Sequence, residues 1–377
     1  MVTTGLSGND IYCVKKLGFH PGEILIGNSV YSIGFVGSLT SGFRSMMGGE
    51  VSNITSMITE GRVLAINRMI TEARQRKGLG IAGVRSDFIH HAGSGNIEFL
   101  SVGSAVHSEH PETDQLRFTA SADGQELWCN MDAGYSPVSF AFGNVAYALG
   151  LGQGIIGSFK KLGRGEIREY SDVFNRTRHT ALQRIIAEAK RDNANSVLNI
   201  TTKVIPYAAN ISEMLMVGTA SYNPALPEEF KANPITSDLT SSELWSITNL
   251  GMMPVKLLLG TAVYSLGLAG SLTSFIKSFT RGEINATTTL IYEAREHAIG
   301  LITNEAKSIG ADDVLGVKTY IYQLGNGLIE FLAIGTAVKK VDFVKTKSET
   351  ILPQAIIADR DTYFDHPGLT FGGNEAI

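Results

Sequence analysis

The 377-residue sequence is poor in several residue types, and each shortage excludes a class of protein. Two cysteines, Cys13 and Cys129, are too few for a disulfide scaffold or a cysteine-rich zinc site. Charged residues make up only 18% of the chain and the net charge is −4, so there is no general positive field to hold nucleic acid. We therefore expect neither a disulfide-stabilised protein nor a nucleic-acid-binding one.

Targeting and catalytic motifs are also lacking. Residues 1–12 have neither the basic region nor the apolar stretch of a signal peptide, which predicts a cytoplasmic protein. No phosphate-binding loop, nucleophile elbow, H-E-x-x-H or paired C-x-x-C occurs. No histidine recurs at an equivalent position, and the acidic cluster with a histidine at Asp359–His366 is a weak metal candidate. We expect no enzymatic activity, no cofactor and no metal site.

What the sequence does contain is abundant glycine, 41 residues, and one pattern that occurs three times. Gly27–Glu50 aligns without a gap on Gly260–Glu283, with 13 of 24 residues identical. A more divergent copy lies at Gly143–Glu166, so the copies are offset by 116 and 233 residues. The chain is therefore predicted to hold three tandem domains, at residues 10–107, 126–222 and 244–341, followed by a C-terminal tail at 342–377.

The hydrophobic pattern of the first copy predicts its secondary structure. Apolar residues three and four positions apart predict an amphipathic helix over Ser52–Lys77. Strands are predicted before and after it, at Ile11–Leu17, Glu23–Asn28, Ile81–His91 and Ile97–His107. The prediction is an α+β fold of three repeated β-β-α-β-β domains, each a small antiparallel sheet covered by one long helix.

Two stretches of the third copy carry a family resemblance. EAKSIGADDVLGV at Glu305–Val317 and IEFLAIGTAV at Ile329–Val338 resemble the YbjQ family, small bacterial domains that bear a heavy-metal-binding label. The resemblance covers about Asp10–Val341 in three YbjQ-like repeats and is weakest in the second. It implies a fold similar to dodecin subunits and the formation of five-membered rings.

Each copy also contains a long uncharged segment. Ile24–Phe43, Val138–Phe159 and Leu257–Ile276 have no charged residue over 20, 22 and 20 positions. Their length would span a membrane, but their glycine, serine and asparagine content opposes insertion. We favour a buried strand followed by a packing surface of small residues, over a membrane-facing surface or a membrane span.

Three charged positions recur in all three copies. The first is a glutamate just before the helix, where a carboxylate complements the positive end of the helix dipole. The other two are an arginine and a glutamate ten residues apart on the helix, which therefore do not face each other. We expect partners in a neighbouring domain, and we favour ion pairs between domains over ligand contacts. The candidate assembly-interface residues are Glu50, Glu166, Glu283, Arg62, Arg178, Arg295, Glu72, Glu188 and Glu305.

These observations favour a non-enzymatic structural protein. We hypothesise that it assembles with itself into a closed, pentamer-based homo-oligomer, either a stack of rings or a hollow shell. One alternative is an oligomer that binds or stores a small molecule or a metal ion at domain interfaces, a hypothesis that rests on fold analogy alone. Another, less favoured, is a peripheral membrane scaffold that uses the uncharged segments. The sequence identifies no ligand.

Overall fold

The computed structural model describes residues 1–32, 49–91, 96–148, 165–208, 211–265, 285–325 and 328–352. Within these ranges the chain forms three similar units, here called repeats 1, 2 and 3, each with a mainly antiparallel sheet and one long helix. The α+β class and the three repeated units of sheet plus helix, both predicted from the sequence, are confirmed.

A short helix, a long strand, a long helix and a two-stranded hairpin follow one another in each repeat. Repeat 1 comprises α1 (Gly8–Lys16), β1 (His20–Ser32), β2 (Gly49–Glu50), α2 (Ser52–Gln75), β3 (Gly80–His91) and β4 (Asn96–His107). Repeat 2 comprises β5 (Phe118–Thr119), α3 (Gly124–Asp132), β6 (Ser136–Ala148), β7 (Gly165–Glu166), α4 (Arg168–Arg191), β8 (Ser196–Ala208) and β9 (Ile211–Tyr222). Repeat 3 comprises α5 (Glu229–Ala232), β10 (Ile235–Thr236), α6 (Ser241–Asn249), β11 (Met252–Ser265), α7 (Asn285–Ser308), β12 (Asp313–Gly325) and β13 (Leu328–Lys340).

The strand predicted at Ile11–Leu17 was wrong, because this segment belongs to helix α1. Ser7 and Asp10 form a capping box, in which each side chain accepts a hydrogen bond from the other residue's backbone N–H. The same box begins α3 and α6. The alternation of a few apolar residues suggested a strand, whereas the capping residues fix the helix start. The residues between the two predicted strands, HPG at His20–Gly22, suggest a turn in the sequence, but they lie at the beginning of β1, where the register shifts between Pro21 and Ile24.

In every repeat the long helix lies against the first long strand of its own sheet. A glycine stands where the two meet: a Cβ atom on Gly27 would lie 2.0 Å from the carbonyl oxygen of Ala65. Gly143 and Gly260 occupy the same position against α4 and α7. The absence of a side chain lets the helix backbone approach the strand closely.

Successive repeats are joined through their sheets. Strand β2 of repeat 1 pairs with β6 of repeat 2, and β7 of repeat 2 pairs with β11 of repeat 3. The linkers are also built into the sheets, because β5 pairs in parallel with β3, and β10 with β8. Each repeat therefore completes the sheet of the next one.

The long helices of repeats 1 and 2 lie between two sheets. The face of α2 that carries Ile54 and Ile58 packs in one apolar cluster with Ala146 and Tyr207 of repeat 2. Helix α4 packs in the same way with Leu257, Leu259 and Val263 of repeat 3. The contact between repeats is therefore part of the hydrophobic core.

The uncharged segments begin in β1, β6 and β11, and their later parts lie outside the described residues. Among the helices described, none is both long enough and apolar enough to cross a membrane. The start of the tail packs on the protein, since Val344 lies in an apolar cluster with Trp128 and Trp245. The weak metal candidate at Asp359–His366 lies outside the described residues.

Candidate functional site: the interface between repeats

Arg62 lies at the centre of the contact between repeats 1 and 2. Its Nη2 is 2.7 Å from Glu213 Oε2 and its Nε is 3.2 Å from Glu213 Oε1, a two-pronged ion pair between α2 and β9. Its Nη1 donates to the carbonyl oxygen of Ser86 at 2.9 Å. Both charged side chains are 0% exposed. Water cannot hydrate either charge at this buried position. The two charges are therefore stabilised by the hydrogen bonds that they make with each other.

The contact between repeats 2 and 3 contains an equivalent ion pair, in which a single oxygen of the carboxylate, Oε1, accepts both hydrogen bonds. Arg178 of α4 donates from Nε and Nη2 to Glu330 of β13, and the pair is again buried. The guanidinium also lies over the ring of Tyr322, 5.6 Å from its centroid. Burial raises the pKa of Glu330, and the charge of Arg178 opposes that rise. The ionised state of this carboxylate thus depends on the arginine.

Backbone contacts repeat along with the ion pair. The Oγ1 of Thr55 accepts from the N–H of Ala146 at 3.0 Å, and the Oγ of Ser171 accepts from the N–H of Val263 at 2.9 Å. The carbonyl oxygen of Ala146 accepts from the backbone N–H of Val51, and that of Val263 from the backbone N–H of Ile167, both at 2.8 Å. Backbone groups at the edge of each of these two sheets therefore form hydrogen bonds with the preceding repeat.

The glutamates that precede the long helices also cross between repeats. Glu50 Oε1 is 2.8 Å from Arg184 Nη2 of repeat 2. Glu166 Oε1 is 3.5 Å from His297 Nδ1 of repeat 3 and accepts from the Oγ of Ser171 at 3.0 Å. Glu283, the third glutamate predicted at this position, lies outside the described residues.

The glutamates near the ends of the long helices contact their own repeats. Glu72 accepts from the N–H of Ile26 at 2.8 Å and pairs with Arg76. Glu188 pairs with Arg191, and Glu305 with Lys256. Glu72 and Glu188 thus contact their own repeats. Burial lowers the pKa of His179 of repeat 2, and the charge of Glu305, which also lies close to this imidazole, opposes that lowering. Arg295 is exposed on α7, with no hydrogen bond or ion pair to any described residue.

The carboxylates that receive the arginines were not found from the sequence. Glu213 and Glu330 lie on the second strand of each hairpin, and Glu98 occupies the same register position in repeat 1. A signal existed: a glutamate stands at one place in three otherwise mainly apolar stretches, IEFL, SEML and IEFL. A charge at a recurring position of a buried strand indicates a partner across an interface.

A group of carboxylates lies where α1 meets α3. Asp10 Oδ1 accepts from the N–H of Gln125, next to the capping box formed by Asp123 and Glu126. Burial, with smaller contributions from the neighbouring charges, raises the pKa of Asp123 to about 6 and that of Glu126 to about 7. Folding therefore favours the protonated forms of these two side chains.

We expect the protein to lose stability as the pH rises from about 5 to about 8. The folded pKa of Glu126, about 7, lies above its ordinary value of 4.5, so its contribution is complete below 4.5 and is lost as the pH rises through 7. Melting temperatures measured across this range test the expectation. Glu126→Gln should flatten the dependence, whereas Glu243→Gln, in the exposed capping box of α6, should leave it unchanged. Parallel curves for the wild type and Glu126→Gln would contradict this assignment.

Comparison with known families matches all three repeats. The family model described as "Putative heavy-metal-binding", YbjQ, matches residues 19–109, 135–223 and 252–341. The chain belongs to the YbjQ family. Relatives about one repeat long include UPF0145 proteins of Clostridium perfringens (35% identical over 94 residues, 25% of this chain and 89% of the relative) and Pseudothermotoga lettingae (34% over 91 residues, 23% and 86%).

A longer relative matches more of the YbjQ repeats. It is named "Encapsulin nanocompartment protein Rv1762c", from Mycobacterium tuberculosis, and is 31% identical over 227 residues. The match covers 58% of this chain and 84% of the relative. The 227 matched residues are close to the length of two repeats of this chain, which are offset by 116 residues. A protein named for a nanocompartment is thus similar to this chain over most of its own length.

The heavy-metal description of the YbjQ family can be compared with the side chains present. Among the residues that the structure describes, no group of three or more His, Cys, Asp or Glu is arranged to hold a metal ion. Cys13 and Cys129 are both buried, and burial raises their pKa values to about 11 and about 12. A thiol with a raised pKa is a poor metal ligand at neutral pH. The described donors therefore do not fit a metal centre.

Proposed function

We propose that this YbjQ protein is a non-enzymatic structural protein that assembles with copies of itself into a closed, pentamer-based particle in the cytoplasm. The observation that carries the proposal is the buried Arg–Glu interface, which is built twice with the same elements. The similarity to a relative named as an encapsulin nanocompartment protein also supports assembly into a closed particle. An interface that recurs between successive units can generate a ring or a shell when further copies continue it.

The contact joins two different surfaces. A helix face of one repeat lies on a sheet of the next, so the interface is head-to-tail and not self-complementary. Head-to-tail contacts produce closed rings if the rotation closes, and filaments if it does not. The direction of propagation, from repeat 1 to repeat 2 to repeat 3, is the same at both contacts.

A shared cavity indicates that the three repeats turn around one axis. It has a volume of about 400 Å³ and is lined by residues at equivalent positions of β3, β8 and β12, among them Arg85, Thr201 and Lys318. The same strand of every repeat thus faces the same space. Units that all present one face to a common axis form an arc of a ring, and this curvature favours a closed particle over a filament.

The size of the particle follows from the repeat number. If each ring contains about five repeats, the total number of repeats must be divisible by the ring size and by the three repeats of a chain. The smallest set that meets this condition is about five chains. A shell with twelve such rings takes about twenty chains. With a chain mass of 40.5 kDa, five chains give about 0.2 MDa and twenty give about 0.8 MDa.

Native mass spectrometry of the purified protein, with light scattering across a concentration series, tests the proposal. We expect a single large species whose mass is a multiple of five chains, with five selecting the ring stack and twenty the shell. A monomer at every concentration would overturn self-assembly. Particles of two or three chains would preserve self-assembly but overturn the pentamer, because the ring size would then follow the three-repeat arc.

A further inference from the structure

We propose that the helix α7 of repeat 3 docks on the outer face of the repeat 1 sheet of a second copy, through the contact that already joins repeats within one chain. The inference rests on the proposed self-assembly and names its two surfaces. The members of a ring closed by this contact are whole chains, each with its three repeats. The sending face is the side of α7 that carries Thr288, Tyr292 and Arg295. The receiving face is the side of the repeat 1 sheet that carries Ile26, Val30 and Ile89.

The receiving face exposes apolar side chains that are covered in the other repeats. Ile26 is 52% exposed and Val30 is 56% exposed, whereas their equivalents in repeat 2, Phe142 and Ala146, are 6% and 0% exposed. The equivalents in repeat 3, Leu259 and Val263, are also buried. Repeats 2 and 3 each follow another repeat, whose long helix covers this face, whereas repeat 1 is the first of the three. Its sheet therefore presents the same apolar surface without the helix that covers it elsewhere.

The receiving face also ends in a strand edge. β1 is at the edge of its sheet, whereas the equivalent strands β6 and β11 are each followed by the short strand of the preceding repeat. Val30 has the register of Ala146 and Val263, the residues whose backbone groups bond to the preceding repeat. An incoming repeat would find the backbone groups placed as they are inside the chain.

The sending face shows the complementary difference. Thr288, Tyr292 and Arg295 are exposed on α7, with Tyr292 at 63%. The equivalents of Thr288 and Arg295 in repeat 1, Thr55 and Arg62, are 5% and 0% exposed. The opposite side of α7 packs on its own sheet as in the other repeats. Only the half of the interface that faces a following repeat is uncovered.

Charge and position match across the two faces. Arg295 has the position of Arg62 and Arg178, and Glu98 has the position of the glutamates that receive them. Glu98 is half-buried and accepts from the Nδ2 of Asn28 at 2.9 Å. Docking would place Arg295 beside it and form a third ion pair of the same kind. This continuity with an interface built twice in the chain identifies the occupant as a second copy.

The short helices show the same difference between repeats, because the last of them is not covered by a following one. α1 packs on α3, and α3 packs on α6. Cys13 and Cys129 are covered by the following short helix, whereas Ser246, at the same position of α6, is exposed. The sequence alone predicts that these three small side chains fill one inward strand position, which is wrong because all three lie on helices and Ser246 is exposed. Among the described residues, both α6 and α7 therefore expose the positions that a following repeat covers in repeats 1 and 2.

Two single variants test the inference, one on each face. Arg295→Glu on the sending face and Val30→Asp on the receiving face change exposed residues, so both should fold with an unchanged melting temperature of the isolated chain. Each alone should raise the dissociation constant of the assembly at least tenfold, measured by sedimentation velocity across a concentration series. Lys307→Glu, the same charge change on an exposed position near the end of α7, should leave assembly unchanged.

Mixing the two variants gives the sharper result. Each keeps one intact face, so an equimolar mixture should form a complex of two chains that neither variant forms alone. Arg295→Glu combined with Glu98→Arg in one chain should recover part of the assembly. If the wild type assembles and both variants assemble equally well, the end-to-end contact is refuted while self-assembly stands. A wild type that stays monomeric at every concentration refutes both.

Discussion

Replacing Arg178 with methionine should destabilise the protein by about 3–5 kcal/mol, since it leaves a buried carboxylate without its partner. Glu330 is 0% exposed, and its Oε1 accepts from both the Nε and the Nη2 of Arg178, which compensates for part of its lost hydration. Methionine preserves much of the side-chain volume, so the loss reports on charge and hydrogen bonding rather than on a cavity. Equilibrium unfolding in urea measures the change.

A matched exposed pair provides the control. Arg191 lies on the same helix and pairs with Glu188 at 2.8 Å, but its side chain is 64% exposed. Arg191→Met should therefore cost less than about 1 kcal/mol. The double variant Arg178→Met with Glu330→Met should recover much of the lost stability, because no charge remains buried. Equal losses for the two single arginine variants would contradict the role given to the buried pair.

Local features of the fold could be predicted from the sequence where a single periodicity dominates. The helix predicted over Ser52–Lys77 is observed over Ser52–Gln75, and both strands of the following hairpin lie within a residue of their predicted starts. These segments are long, and each pattern repeats several times. The seven-residue segment Ile11–Leu17 offered too few periods to distinguish a strand from a helix, and the capping box was the better signal.

The interface could be predicted only on one side. That Arg62 has no partner ten residues further along its helix follows from helix geometry, and this pointed to another repeat. Its actual partner, Glu213, is 151 positions away and faces it only because β9 crosses behind α2. The same reasoning failed for Glu72, which reaches a backbone N–H of its own repeat. Sequence spacing shows which side chains cannot meet, whereas tertiary register decides which ones do.

Gly143→Ala should destabilise repeat 2 by about 1–3 kcal/mol, because a new methyl group would meet backbone and not a movable side chain. Its Cβ would lie 2.1 Å from the carbonyl oxygen of Ala181 and 2.7 Å from the backbone nitrogen of Ile185. Helix α4 would have to move away from β6. Ala181 and Ile185, both fully buried, would lose part of their packing. Urea denaturation of the full chain measures the loss.

Gly300→Ala is the matched control, since Gly300 lies inside α7 and a Cβ atom added there would have no neighbouring atom within 4 Å. There the change should stabilise the helix by up to about 1 kcal/mol, through the lower backbone entropy of alanine in the unfolded chain. Opposite signs for the two substitutions are therefore expected. Destabilisation of similar size at both glycines would show that the close approach of α4 to β6 is not what Gly143 provides.

The effect of Gly143→Ala should reach beyond its own repeat. Helix α4 carries Arg178 on the side that faces repeat 3, so a helix that moves away from β6 disturbs the position of the arginine against Glu330. The combination of Gly143→Ala with Arg178→Met should then cost less than the two single losses added together, because both act on the same contact. Strict additivity would mean that the glycine contact and the buried ion pair stabilise the chain independently.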